Sequence, residues 1–219
     1  MLDSAEELEL AVSIIDHVHQ MVREGLVEGT SGNISARIPG TRTMIITPGS
    51  YSYDRMTIGD LLKVDAENLD VLRGFRSPSS ETEMHAAVYR ARSDVGGLVH
   101  THSRYATAWS TLAISLPAIH YVINSVGNEV PVTPYFTYGT KELAEAASRT
   151  LMDHNATLLQ NHGVLAAGPD LPQAMKNAIR VEFLAQEMLI LGIGAQPHLL
   201  SAADLDRVRD RGRRKADTQ

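Results

Sequence analysis

The run Gly96-Gly97-Leu98-Val99-His100-Thr101-His102 constrains this chain more than any other stretch. It is apolar and too short for a core helix, so it reads as a buried strand. Two imidazoles at its end, one residue apart, then raise a chemical question as well as a structural one.

The rest of the chain supplies the layers. Ser4 with Glu7 forms a capping box, and apolar residues recur with helical period at Leu8, Ala11, Val12, Ile15, Val18 and Val22 before a stop at Gly25. "GTSGNISARI" and "TRTMIITP", joined at Pro39-Gly40, predict a hairpin. "TIGDLL" predicts a short helix capped by Thr57, and "KVDAENLDVLRG" two short strands around a polar turn. Ser80 with Glu83 forms a second capping box opening "ETEMHAAVYRARS", and Ser103 caps a helix through Leu112. "NEVPVTPY" is extended, with prolines that suit a sheet edge. Thr140 caps "KELAEAASRTLM". "ATLLQNHGVLAAG" reads as two strands pinched at Asn161-His162-Gly163, where Gly163 supplies the freedom the turn needs. Asp170 caps a long helix from Leu171 towards Leu191. Trp109, Phe136 and Phe183 are assigned to the core. The expected fold is α/β: one α/β/α layered domain over residues 1–219, with a mostly antiparallel central sheet and a mobile tail from about 207.

Composition narrows the function. With 43% hydrophobic and 21% charged residues, 219 residues suffice for a packed core. The net charge is −6, and the one dense basic run, Arg207 to Lys215, is interspersed with Asp206 and Asp210, so nucleic acid is not an expected partner. The absence of cysteine removes disulfides, thiolate metal sites and thiol nucleophiles. The N-terminus is acidic, and no segment reaches the ~20 apolar residues of a membrane span. A soluble cytoplasmic protein without membrane contact is expected, and any metal must be held by His, Asp or Glu.

His100 and His102 project from one face of their strand, because residues i and i+2 share a face. That suits two ligands of one metal, and it also suits a pair of core or surface histidines. Burying two imidazoles without partners is costly, which favours the metal. His162, at a tight turn, can be a third ligand or a plain turn residue. Glu81, beside "SPSS" in the first turn of a helix, is the best acidic candidate for the site; that helix start can take a phosphate on its free amides and the Ser79 and Ser80 hydroxyls, or Ser80 simply caps the helix and Glu81 complements its dipole. The loops holding Gly32-Asn33 and Gly49-Ser50 can line an anion site with their backbone amides, as can many small-residue turns. His85, four residues after Glu81, is either a further ligand or outer group, or a partly buried helix histidine. His17, His19, His154 and His198 are read as structural or exposed.

Together "GTSGNISAR", "ITPGS", "PSSETEMHAAVY", "VHTHS", "LPAIHY", "PYFTYGT" and "TLLQNHGVLAAG" resemble the class II aldolase/adducin head family, in the family's order, over roughly residues 5 to 195. The resemblance implies one divalent metal, zinc or alternatively manganese, held by His100, His102 and His162. It implies Glu81 as the acid/base that also ligates the metal in the empty site. Gly32, Asn33, Gly49, Ser50, Ser79 and Ser80 match a substrate phosphate pocket. Tyr121 matches a tyrosine reaching the site from a neighbouring subunit of a homotetramer with interfacial sites. Glu rather than Asp at position 81 resembles the aldolases, so the implied activity is that of an aldehyde-lyase. It would cleave a ketose 1-phosphate, such as an L-fuculose-1-phosphate-like or 5-deoxyribulose-1-phosphate-like sugar, to dihydroxyacetone phosphate and an aldehyde. A ribulose-phosphate epimerase-like activity, a decarboxylase, since the family's phosphate-ester decarboxylases also carry Glu there, and a non-catalytic adducin-like module are the alternatives within the resemblance. Two departures stand out. The family's loop usually ends Ser/Thr-Gly where this chain has Gly49-Ser50, and the last tyrosine here is Tyr138.

Overall fold

The computed structural model describes residues 4–216, with no side-chain description for residues 215 and 216. Helix α1 (Ala5–Arg23) starts at Ser4, whose hydroxyl accepts from the Glu7 amide, and ends before Gly25 at φ +66°. Strands β1 (Asn33–Arg37) and β2 (Thr43–Ile46) form the expected hairpin. A 3₁₀ turn, Ile58–Asp60, follows Thr57, and then come β3 (Leu62–Asp65) and β4 (Val71–Arg73). Next are α2 (Thr82–Ala91), β5 (Gly97–Thr101), α3 (Arg104–Ser110) and β6 (Val132–Thr133). The described chain closes with α4 (Lys141–Thr150), β7 (Ala156–Leu159), β8 (Gly163–Gly168), α5 (Leu171–Leu191) and α6 (Ala202–Ala216).

The strands form one sheet in the order β4-β3-β2-β1-β5-β8-β7-β6. All pairings are antiparallel except β6 with β7, so the expected mostly antiparallel sheet is what forms. The proline-flanked strand β6 takes the edge, where a missing N–H costs no ladder bond. Strand β5 lies inside the sheet between β1 and β8, and every one of its residues is buried.

Two cores lie against the sheet. One gathers α1, α3 and α5 with Ile34, Ala36, Val99, Val164 and Ala166; the other gathers α2 and α4 with Leu98, Leu165 and Ala167. Alternation along the strands then decides the site. Val99 goes to the α1/α5 face, so Leu98 and His100 go to the α2/α4 face. Ile34 goes to the α1/α5 face, so Asn33 and Ser35 join His100. The register places Asn33 opposite His100 and His100 opposite Leu165. Trp109 is buried as expected, while Phe136 and Phe183 are half-buried against the two cores. Among the described residues, no helix is long and apolar enough to cross a membrane.

Three local expectations are corrected. Ser80 does not cap α2. Glu81 is the N-cap residue, at φ −101° and ψ 14°, and Ser79 Oγ accepts the Glu81 amide at 3.2 Å. The helix therefore begins one residue later than expected, with the Glu81 side chain drawn into the sheet. Ser103 makes no side-chain cap of α3. The Glu182 carboxylate of α5 accepts from the Tyr105 and Ala106 amides at 2.9 and 2.8 Å, and an ionised acceptor suits free helix amides better than a hydroxyl. The turn between β7 and β8 carries its left-handed residue at Asn161, φ +57°, rather than at Gly163. Gly163 is required for a different reason: a Cβ there would lie 2.2 Å from the Thr101 carbonyl oxygen of β5. Most of the expected tail lies in α6, where Arg209 donates to Asn124 Oδ1, and residues 217–219 lie outside the described residues.

Candidate metal centre

Four side chains from three places converge on the α2/α4 side of the sheet. His100 comes from inside β5, His102 from just past its end, His162 from the β7–β8 turn, and Glu81 from the start of α2. One ligand atom from each lies within 4.8 Å of every other. The three imidazole rings sit 4.9 Å apart pairwise and nearly perpendicular, at 72°, 79° and 88°. His100 Nε2 is 3.1 Å from His102 Nε2 and 2.9 Å from Glu81 Oε2, and His162 Nε2 is 3.3 Å from Glu81 Oε1.

The hydrogen-bond accounting shows what this point wants. The Val164 carbonyl accepts from His100 Nδ1 at 2.8 Å, so in the neutral ring Nε2 carries the lone pair. That lone pair faces a carboxylate and another imidazole nitrogen. Glu81 Oε1 is buried and receives no hydrogen bond. Acceptors crowded around one point call for a cation, and three imidazoles with a carboxylate form a donor set for one divalent metal ion. The outer bond from Val164 is the kind that fixes the ring and tautomer of a metal ligand.

Electrostatics agree. Burial opposes ionisation of Glu81, but His100, then His162 and the Asn33 amide, outweigh it and hold its carboxyl well below the usual range. Burial likewise opposes a charge on His100, yet Glu81 and the Val164 carbonyl raise its affinity for a proton. Burial, then the neighbouring His100 and His162 rings, lowers the His102 pKa to about 3. Burial and His100 lower that of His162 to about 4. Both rings therefore stay neutral, the form that binds metal.

Beside this cluster opens a cavity of about 680 Å³ whose lining includes Gly32, Asn33, Gly49, Ser50, Ser79 and Ser80, together with Glu81, His102 and His162. Gly32 sits at φ +76°, and a Cβ there would lie 2.6 Å from the His100 carbonyl oxygen, so only glycine lets this loop approach the strand. The loops of Gly49 and Ser79 are tied by the Pro48–Pro78 bridge and by the Gly49 amide donating to Ser77 O at 3.1 Å. That amide is therefore already engaged. Ser50 takes a left-handed backbone, φ +52°, so the exchanged Gly49-Ser50 order puts the strained conformation on the serine. Tyr121 is not part of this cavity: it is 57% exposed and stacks on His120 at 4.5 Å.

Some residues in and behind the cavity wall escaped the sequence reading. Tyr53 is buried, and its hydroxyl faces the Ser31 and Gly32 carbonyls at 2.9 and 2.6 Å, bracing the glycine loop from below. Tyr135, Phe136, Tyr138 and Asn161 form part of the wall. The "PYFTYGT" stretch was visible in the sequence, but nothing local showed that it faces the cluster. His85 is fully buried and stands apart from the four ligands, bonded through Nδ1 to Ser35 Oγ at 2.6 Å.

Residues 12–189 match the family described as the Class II Aldolase and Adducin N-terminal domain. An L-fuculose phosphate aldolase of Escherichia coli (strain K12) is 41% identical over 182 residues, covering 83% of each chain. A 5-deoxy-D-ribulose 1-phosphate aldolase of Bacillus thuringiensis serovar kurstaki is 36% identical, covering 88% of this chain and 90% of that one. A solved L-fuculose 1-phosphate aldolase superposes with a TM-score of 0.89 at 33% identity, covering 94% of this chain and 96% of the other. The chain belongs to the class II aldolase/adducin family, and within it to the aldolases, which are aldehyde-lyases.

Proposed function

We propose that the chain cleaves a ketose 1-phosphate of the L-fuculose-1-phosphate or 5-deoxyribulose-1-phosphate type to dihydroxyacetone phosphate and an aldehyde. The observation that carries this reading is the convergence of Glu81, His100, His102 and His162 at the edge of the cavity holding Ser79, Ser80 and Asn33. The three histidines and Glu81 would hold one divalent ion, zinc by its preference for imidazole with a carboxylate, or manganese in its place. When bound, such an ion supplies Lewis-acid stabilisation of charge developing at the substrate's C2 oxygen, worth several kcal/mol.

The chain's own residues supply the rest. Ser79, Ser80, Asn33, Gly32 and the Gly49-Ser50 loop receive the phosphate. Glu81 moves the proton at C3 as the C3–C4 bond breaks. Tyr121, exposed on its own subunit, serves the C4 hydroxyl proton in a neighbour's site within a homotetramer. The protein works in the cytoplasm, as a single domain over residues 1–219.

A panel of ketose 1-phosphates assayed with a coupled reductase tests the reading. Stoichiometric release of dihydroxyacetone phosphate is expected from one of them. Interconversion of sugar phosphates without release would instead identify an epimerase, and no turnover by the metal-loaded protein would overturn the enzyme reading.

A further inference from the structure

Asn33 sits between the phosphate cavity and the ligand cluster, and both of its amide protons are committed. One Nδ2 proton goes to Ser79 Oγ at 3.1 Å and the other to Glu81 Oε2 at 3.0 Å. Its Oδ1 is buried and has no donor. Turning the amide over would set Oδ1 against the Glu81 carboxylate, so the orientation is fixed by these two acceptors.

Ser79 is committed in the complementary sense. Its Oγ accepts from Asn33 and from the Glu81 amide at 3.2 Å, which fills both lone pairs. Its own proton has no acceptor among the described residues. With both acceptor sites taken, that proton is free for an acceptor in the cavity that Ser79 lines. An anion oxygen accepting it arrives beside the Asn33 amide. The amide has no spare proton for the anion, so it can bond the anion only by releasing Ser79 or Glu81.

We propose that Asn33 is a positioning residue shared between the phosphate subsite and Glu81: an anion in the subsite draws the Asn33 amide off Glu81 Oε2, loosening the carboxylate as substrate arrives. This rests on the phosphate reading given above. It explains how one carboxylate is held against the histidines in the empty site and freed for proton transfer in the filled one. The signal comes from the end of the substrate remote from the reacting carbons. Such a coupling is reciprocal: whatever removes Glu81's claim on the amide must tighten the anion.

The test is a double-mutant cycle in the affinity of metal-free protein for inorganic phosphate, measured by calorimetry on the parent, Glu81→Ala, Asn33→Ala and the double variant. Removing a carboxylate near an anion tightens binding through space in either background, so only the non-additive part reports sharing. The expected result is that Glu81→Ala tightens phosphate about tenfold more when Asn33 is present than when it is Ala, the scale of one hydrogen bond to a charged group. Equal tightening in both backgrounds overturns the sharing while leaving the phosphate subsite standing. No binding of phosphate to the folded parent overturns both. Asn33→Thr, a residue suited to a strand, repeats the cycle if Asn33→Ala does not fold. A kinetic split accompanies it: Asn33→Ala should lower kcat for the phosphorylated substrate more than it raises KM, whereas a plain phosphate ligand would chiefly raise KM.

Discussion

Two buried histidine clusters lie on the same face of the sheet, and they do opposite things with their polar atoms. Around His100, lone pairs of three imidazoles and a carboxylate point at one another across less than 5 Å and leave Glu81 Oε1 without a donor. Around His85, the partners complement each other. Ser35 Oγ meets His85 Nδ1 at 2.6 Å and the Tyr89 hydroxyl at 2.9 Å, and that hydroxyl also lies 3.0 Å from the Ser35 carbonyl. His85 Nε2 alone is left over. The difference teaches that burial of a histidine is not a sign of chemistry. Convergence of acceptors on a point that only a cation can fill is.

The largest effect should come from Glu81→Gln. It keeps a ligand oxygen and the cavity but removes the proton acceptor, so turnover should fall by about 10²–10⁴-fold while elemental analysis still finds metal. Turnover equal to the parent would remove Glu81 from the chemistry. Next, Gly163→Ala should separate β5 from β8, because its Cβ meets Thr101 O. Overpacking of this kind costs roughly 1–3 kcal/mol. Since β8 follows His162 directly, metal affinity should fall along with thermal stability; an unchanged Tm would show that the strands give way freely.

His85→Leu attacks the other half of the comparison. Loss of the Ser35 bond should cost about 1–3 kcal/mol in urea unfolding while metal content stays at the parent's value. Metal loss in this variant would make His85 part of the centre. A last contrast is in pH. In the metal-free protein, burial, then the charge on His100, holds His85 and His102 to about 3 and His162 to about 4. The unfolded chain binds those protons near 6.5, so it gains more protons than the folded one as pH falls from 6.5 to 4. His100, raised by Glu81 against its burial, works in the other direction, but as one group against three. Tm of the metal-free protein should therefore fall across this window, and a flat profile would contradict the burial of these rings.

Much of this was legible in the chain. Caps at Ser4, Thr140 and Asp170 marked helix starts because capping is a local bond, three residues long. The shared face of His100 and His102 followed from strand periodicity alone. What was not legible depends on distant residues. Glu182 displacing Ser103 as the cap of α3 involves partners 76 and 77 residues apart, and the Asn33–Glu81 bond spans 48. Gly163 was flagged for the right position and the wrong reason, since a sequence shows a turn but not the strand that passes 2.2 Å from an added Cβ. The buried Tyr53 brace gave no signal, because a tyrosine in "SYDRM" has no period to betray it.

The central claim is that the four converging side chains hold one divalent cation. Elemental analysis of the purified protein and of His102→Ala, both dialysed against buffer with trace divalent metals, tests it most directly. The account predicts about one metal ion per chain in the parent and close to none in the variant, with the variant still folded by circular dichroism. Equal metal content in the two proteins, or none in either, would contradict it.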